Sequence, residues 1–426
     1  MLATIQIHVD GLWRTIATFE AASDAALAKG IAGGGRLLYD VDYVAEFLGK
    51  PLYYALSAQY PVSFEYVITE QWPAFLVDLL PGGAGRRLFY NKQAIPQAPS
   101  GDWPLLLAGV SSPPGHLRIK ESFNEIAFDQ HPGFTRQEVL DRQAEFIEYA
   151  YQHGAPVAGS SDVQGDSPKF LLVEDHQGRW HAEGAVSEAK IKQHWLVKFP
   201  RGKQESDRAV LFNEAAYYCV AAKMGLRTHN NLTHESNTLF VPRFDRVISK
   251  GKILRYGQES LYSLAGVSEF GKAVANDVFC EVIAKYASKP QEEVTEFIFR
   301  DVLNVAMGNT DNHGRNTAMQ YLPDGTSQLT SLFDFAPMIL DDSGISRVCR
   351  WKNADNGGYP DWSQVVSDVV ALNIGINEEV LRHALRQFLV KVKTLSEVIK
   401  KCGVEEHLYK QIQTRIEHVQ NALEAV

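Results

Sequence analysis

Cysteine is scarce: the 426 residues hold four, Cys219, Cys280, Cys349 and Cys402, far apart and without C-x-x-C spacing. That argues against a disulfide framework or a zinc site and predicts reduced, buried thiols in a cytoplasmic protein. No run approaches the roughly 18 consecutive apolar residues of a membrane span. Residues 1–20 lack the charged and apolar regions of a signal peptide, so the cytoplasm is the expected location. A basic excess is missing too: Lys plus Arg is 42 against 51 for Asp plus Glu, a net charge of −9. That balance excludes a blanket nucleic-acid binder, though not a local basic patch. Low complexity is absent as well. With 45 % hydrophobic and 22 % charged residues the chain is globular and long enough to bury a large core unaided.

Organisation follows from the patterning. Ile5, Ile7 and Val9 alternate with polar residues, and Asp10-Gly11 then marks a hairpin turn. Trp72 to Leu80 reads as an apolar helix stopped by Pro81-Gly82-Gly83. Thr135 to Glu138 is a capping-box pattern that predicts a helix through Tyr151. A Gly/Ser loop, 159–167, precedes a predicted hairpin, Lys169–Glu174 and Arg179–His181. Trp195–Phe199 and Thr238–Val241 read as strands, and Leu211–Met224 as a helix ended by Gly225. From about residue 275 the pattern turns mostly helical, with Val380, Leu381, Ala384, Leu385, Phe388 and Leu389 on one apolar face. Strands followed by helices predict an α+β fold in three parts: 1–130, 131–247 and 248–426.

The chemistry concentrates in Asn309-Thr310-Asp311-Asn312-His313-Gly314-Arg315-Asn316. Asp311 and Asn316 have the spacing of a kinase catalytic loop, where the Asp accepts the proton of the acceptor hydroxyl and the Asn holds Mg²⁺. Asp334, after the apolar stretch Leu332-Phe333, fits the second metal ligand; Mg²⁺ takes few protein oxygens because it keeps waters and phosphate oxygens. Alone, D-x-x-x-x-N is a turn pattern. The order of parts gives it weight. Lys198 lies on an apolar strand, Glu214 on the following helix, and Arg243-Phe244 ends the next strand. Lysine strand, glutamate helix, Asp-x4-Asn and then Asp is the kinase order, with Lys198 on the α/β-phosphates and Glu214 holding Lys198. No G-x-G-x-x-G precedes the lysine strand. The 159–167 loop stands in that place and could present N–H groups to phosphate.

On these residues the sequence resembles the HipA family, the kinase toxins of bacterial toxin–antitoxin pairs. Asn309 to Asn316 is close to the family's N-T-D-x-H-x-x-N loop, and Trp195-Leu-Val-Lys198-Phe-Pro200 to its I-x-K-[FL]-P strand. Asn213-Glu214 and the helix through Gly225 resemble its N-E helix. Val241-Pro242-Arg243-Phe244-Asp245-Arg246 resembles the V-x-R-F-D-R hinge that binds adenine. Phe333-Asp334 looks like the family's apolar-Asp metal ligand. Asp78 to Gly82 and Leu107 to Gly115 extend the likeness into the N-terminal third. The 159–169 stretch keeps the family's serines, a glutamine and Pro-Lys at different spacing.

The resemblance implies a protein-kinase-like two-lobed fold: an N-terminal α/β subdomain on a small lobe, then an all-helical lobe. It implies ATP contacts from Ser160, Ser161, Gln164, Gly165, Lys198, Val241, Pro242, Arg243, Phe244, His313, Asn316, Phe333 and Asp334. Mg²⁺ would sit on Asn316 and Asp334, and self-phosphorylation would fall on Ser161 or Ser160. The implied activity is a serine/threonine protein kinase acting on a translation component such as an aminoacyl-tRNA synthetase. The implied partner is a HipB-like helix-turn-helix antitoxin, with DNA met only through it and no membrane. Two other readings share the residues: a small-molecule or lipid kinase, and a catalytically silent DNA-bound co-repressor.

Overall fold

The computed structural model of the chain describes residues 1–93, 95–109, 111–123, 131–152, 168–249 and 252–426. Its first turn is the predicted one. Asp10 (φ 53°) and Gly11 (φ 79°) are both left-handed, the turn whose twist suits a hairpin, and they join β1 (Leu2–Val9) to β2 (Leu12–Ala21). With β3 (Gly35–Tyr39), β4 (Val67–Thr69) and β5 (Leu117–Ile119) they form an antiparallel sheet in the order β4-β3-β2-β1-β5. Ile5, Ile7 and Val9 are buried, as their alternation requires. Phe19 stacks on Trp103 at 5.4 Å and meets Trp72 edge-on at 6.0 Å.

The chain divides into two compact units that interleave along the sequence. The first comprises Met1–Gly202, Glu235–Phe270 and Gln320–Gly325; the second comprises Lys203–His234, Gly271–Met319 and Thr326–Val426. The Glu214 helix groups with the helical unit.

In the first unit the short helices are α1 (Asp24–Ala28), α2 (Val41–Phe47), α3 (Ala74–Val77), α4 (Gly83–Gln93) and α5 (Asp102–Ala108). The helix expected over 72–80 shrinks to α3, and Gly83 opens α4 where a stop was predicted. The Thr135 capping box forms: Thr135 accepts from the Glu138 N–H while the Glu138 carboxylate takes the Thr135 N–H. The helix behind it breaks in two, α6 (Arg136–Leu140) and α7 (Ala144–Gln152). Arg142 turns left-handed (φ 51°) and lays its guanidinium over Phe199 at 4.9 Å, a tertiary contact that local pattern does not encode.

A second sheet holds β6 (Lys169–Asp175), β7 (Trp180–Ala182) and β8 (Ile191–Lys198). After β9 (Thr233–Glu235), where the chain returns to this unit, β10 (Thr238–Pro242) pairs with β8. Phe146, Phe170, Trp180, Val197, Phe199 and Phe240 make its core. Short strands β11 (Arg246–Ser249), β12 (Lys252–Arg255) and β13 (Gly257–Ser260) and helix α9 (Leu261–Leu264) follow.

The second unit opens with α8 (Glu205–Met224), ended as predicted by left-handed Gly225 (φ 87°). Then come α10 (Asn276–Tyr286), α11 (Pro290–Met307), α12 (Trp362–Ala371), α13 (Glu378–Val392), α14 (Leu395–Lys401) and α15 (Glu406–Glu424). Loops and short strands interrupt the helices over 308–361. Leu381, Leu385 and Phe388 bury the α13 stripe, and Phe388 stacks on Phe299 of α11 at 4.1 Å. Val380, assigned to that face by spacing, is 50 % exposed. Among the described residues no helix is long and apolar enough to cross a membrane.

The cysteines correct the sequence expectation. Cys280 and Cys349 are buried and outside any disulfide, and burial pushes the Cys280 thiol well above its usual range. Cys219 and Cys402, expected as thiols, form a disulfide with Cα atoms 5.8 Å apart. They are 183 residues apart, so only the packing of α14 against α8 makes them neighbours. Asn213, earlier on α8, adds a second tie: its Nδ2 donates to the Glu405 carboxylate at 2.6 Å and its Oδ1 accepts from the Glu405 N–H at 3.0 Å. Cys219→Ser should lower stability by about 2–4 kcal/mol in oxidised protein and by much less in reductant. Thiol alkylation of unreduced protein should label Cys280 and Cys349 after unfolding, and not the other two. Labelling of all four would refute the bridge.

Candidate functional site

In the first unit β8 is flanked on both sides. Lys198 is opposite Lys169 of β6 and Leu239 of β10. Val197 and Phe199 enter the core, so alternation aims Lys198 to the other face, where it is still only 5 % exposed. A lysine this buried needs anionic company to stay charged. Val241 and Pro242 pair with Leu196 and Trp195, which puts the expected hinge at the end of the same sheet. Phe244 is half-buried there.

The Arg243 side chain points inward. Its guanidinium is buried, donating to Glu183, to both Asp245 oxygens (2.9 and 2.6 Å) and to the Pro113 carbonyl (3.3 Å). Its backbone N–H is bonded to the His194 carbonyl at 3.1 Å. Arg246 reaches the carbonyls of Pro113 and Gly115, and Asp245 accepts the Gly115 N–H at 2.8 Å. Burial alone would raise Glu183, but Arg243, His194 and Arg246 outweigh it and hold its carboxyl well below the usual range. Burial, and then repulsion from Arg243, brings Arg246 down to about 9. The arginines of the R-F-D-R segment thus clamp the 112–115 turn. Glu183, which makes this possible, carried no sequence signal.

The second unit holds the loop. Gly308 (φ 68°) ends α11, and the Asn309 N–H and Nδ2 fold back onto the Asn304 carbonyl and side chain, both at 2.9 Å. The five-residue spacing then closes on itself: Asn316 Nδ2 donates to the Asp311 carbonyl at 2.6 Å, and the Asn316 N–H to the His313 carbonyl at 2.9 Å. His313 Nε2 lies 3.5 Å from Asp311 Oδ1. Its Nδ1 accepts from the Arg315 N–H at 3.2 Å, so a neutral ring carries its proton on the nitrogen facing Asp311. Asn312 Nδ2 donates to the Cys349 carbonyl at 3.2 Å, a tie the sequence did not reveal.

Asn316 Oδ1 is buried and accepts no hydrogen bond among the described residues. A fixed amide with its oxygen unfilled suits a hard cation. Asp334 is half-buried with left-handed backbone (φ 50°), a conformation costing of order 1–3 kcal/mol that persists mostly at functional sites. Phe333 before it is half-buried and Phe335 after it is buried. The Phe335 ring is 5.4 Å from that of Tyr217, whose hydroxyl donates to the Met307 carbonyl at the end of α11 at 2.7 Å. Tyr217 stands one turn after Glu214, itself 5 % exposed, so α8 carries Glu214 on the face packed near the Asp334 segment. One carboxylate and one amide are a donor set that Mg²⁺ accepts. Ser160, Ser161, Gln164 and Gly165 lie outside the described residues.

The family model for the HipA-like C-terminal domain matches residues 161–415, more than half of the chain. The solved HipA of Shewanella oneidensis MR-1, in complex with HipB and its operator DNA, is similar in fold with a TM-score of 0.65 at 17 % identity. That match covers 99 % of this chain and 97 % of the other. The Helicobacter pylori proinflammatory kinase CtkA is similar at 13 % identity over 62 % of this chain and 89 % of its own, with a TM-score of 0.38, too slight to bear on the fold. No curated protein matches the sequence. The expected α+β, HipA-like fold is the one observed, and the chain belongs to the HipA-like C-terminal domain family.

Proposed function

We propose that this protein is an ATP-dependent serine/threonine protein kinase. The observation that carries the reading is Asn316, whose Nδ2 is locked to the Asp311 carbonyl while its buried Oδ1 is left unfilled. That arrangement fixes an amide oxygen suited to a metal on the backbone of the residue whose carboxylate can take the acceptor proton. Asp311 accepts that proton as the hydroxyl attacks the γ-phosphorus, with His313 beside it keeping the carboxylate oriented. Asn316 and Asp334 are the proposed Mg²⁺ ligands; when bound, the ion neutralises charge on the β- and γ-phosphate oxygens. Lys198 and Glu214 keep the roles assigned by their order in the chain. The hinge offers backbone from Val241 to Phe244, with the Arg243 side chain acting from behind.

The finer parts rest on the family likeness. Ser160 or Ser161 is the proposed self-phosphorylation site, and the proposed substrate is a translation component such as an aminoacyl-tRNA synthetase. A HipB-like helix-turn-helix antitoxin is the proposed partner, because the similar Shewanella protein was solved with HipB and its operator DNA. DNA would be met only through it. The three-part division at 130 and 247 and a cytoplasmic location complete the proposal. Incubation with Mg²⁺ and γ-labelled ATP, alone and with cell extract, tests it. Label on Ser160, Ser161 or an extract protein is expected. Label confined to lipid or sugar, or no transfer at all, would overturn the protein-kinase reading.

A further inference from the structure

Asp301 sits on α11, ten residues before Asp311, and is 3 % exposed. Its Oδ1 accepts from Arg347 Nη2 at 2.6 Å and from Asn312 Nδ2 at 3.4 Å. Its Oδ2 accepts from Trp351 Nε1 at 2.8 Å and from Asn276 Nδ2 at 3.3 Å. One buried carboxylate therefore holds the loop that carries Asp311, the start of α10, and two side chains of the 347–351 segment. The pair with Arg347, whose side chain is 5 % exposed, supplies the opposite charge that such burial needs. The surroundings repeat the pattern. The Asn276 N–H donates to the Arg350 carbonyl at 2.9 Å, and Asn312 also donates to the Cys349 carbonyl. Asn304, one turn after Asp301 on α11, holds Asn309 at the head of the same loop.

We propose that Asp301 is a positioning residue that couples the Asp311 loop to the 347–351 segment, so that the two keep one fixed register. A carboxylate is suited to this because its two oxygens accept from four donors without offering a proton to any. With an amide in its place one oxygen becomes a donor facing donors, and the charge opposite Arg347 is lost. The catalytic part of the inference rests on the kinase reading; the positioning part does not.

The test uses the full chain and four variants: Asp301→Asn, Asn312→Ala, Arg347→Gln and Trp351→Phe. The last removes one donor and leaves the Asp301–Arg347 pair intact, so it reports even where Asp301→Asn fails to fold. Amide exchange should rise roughly tenfold over 309–316 and over 347–351 together, with α13 and α15 unchanged. The turnover number for phosphoryl transfer should fall roughly tenfold to a hundredfold, with KM for Mg²⁺-ATP kept within about twofold. Asn312→Ala and Arg347→Gln should be non-additive in turnover, and additive once Asp301→Asn is present. Exchange that rises evenly across the unit, or in only one of the two segments, would overturn the coupling, as would full additivity in the native background. If the native protein transfers no phosphate, the kinase reading fails while the exchange pattern still decides the positioning.

Discussion

Asp334→Asn should cut phosphoryl transfer roughly a hundredfold to a thousandfold and leave the fold intact. On the proposed assignment Asp334 is the carboxylate that joins the Asn316 amide on the cation and carries much of its affinity, and losing several kcal/mol of transition-state stabilisation gives that factor. Asparagine is the right replacement because it tolerates the left-handed backbone (φ 50°) that Asp334 adopts. Alanine would mix lost ligation with backbone strain. The Phe335–Tyr217 contact at 5.4 Å belongs to the neighbouring residue, so the packing of α8 should persist. The assay is initial transfer rate against Mg²⁺ concentration. The variant should need far more Mg²⁺ for any given rate. Wild-type turnover at ordinary Mg²⁺ would remove Asp334 from the metal site.

Asp311→Asn separates the base from the nucleotide. A positioned general base contributes roughly a hundredfold to ten-thousandfold, so transfer to protein should fall by that range. ATP affinity should stay within about twofold, and the structure supplies the reason. Asn316 is held by the Asp311 carbonyl, not by its carboxylate, so the amide proposed as a cation ligand keeps its anchor when the side chain is changed. His313 loses its charged neighbour at 3.5 Å, a local change on the acceptor side of the loop. Calorimetry with Mg²⁺-ATP and a transfer assay on the same preparation are the two measurements. Lost nucleotide affinity, or retained transfer, would contradict the assigned role.

Some of the site was legible because short-range relations write themselves into sequence. The Asp311–Asn316 spacing is local enough for one residue's amide to close on the other's carbonyl. The Lys198 strand shows itself as an apolar run closed by Pro200, and Gly225 marks where α8 ends. Other expectations gave way to partners at a distance. The predicted helix through Tyr151 breaks at Arg142 because Phe199 waits for its guanidinium. The meeting of Arg243 with Glu183 had no counterpart in the sequence reading.

What the sequence determined by itself is the hairpin at Asp10-Gly11, the Thr135 capping box, the helix stop at Gly225 and the order of lysine, glutamate, Asp-x4-Asn and Asp. The hairpin, the capping box and the helix stop depend on residues within a few positions of one another, where backbone preference and side-chain period act directly; the order of the kinase parts is read along the chain from Lys198 to Asp334. The tertiary structure alone decided the Cys219–Cys402 bridge, the clamp of Arg243 and Arg246 on the 112–115 turn, and the four donors gathered on Asp301. Those partners come from separate elements brought together by the burial of apolar faces. No periodicity links such residues, so their pairing exists only once the chain has folded.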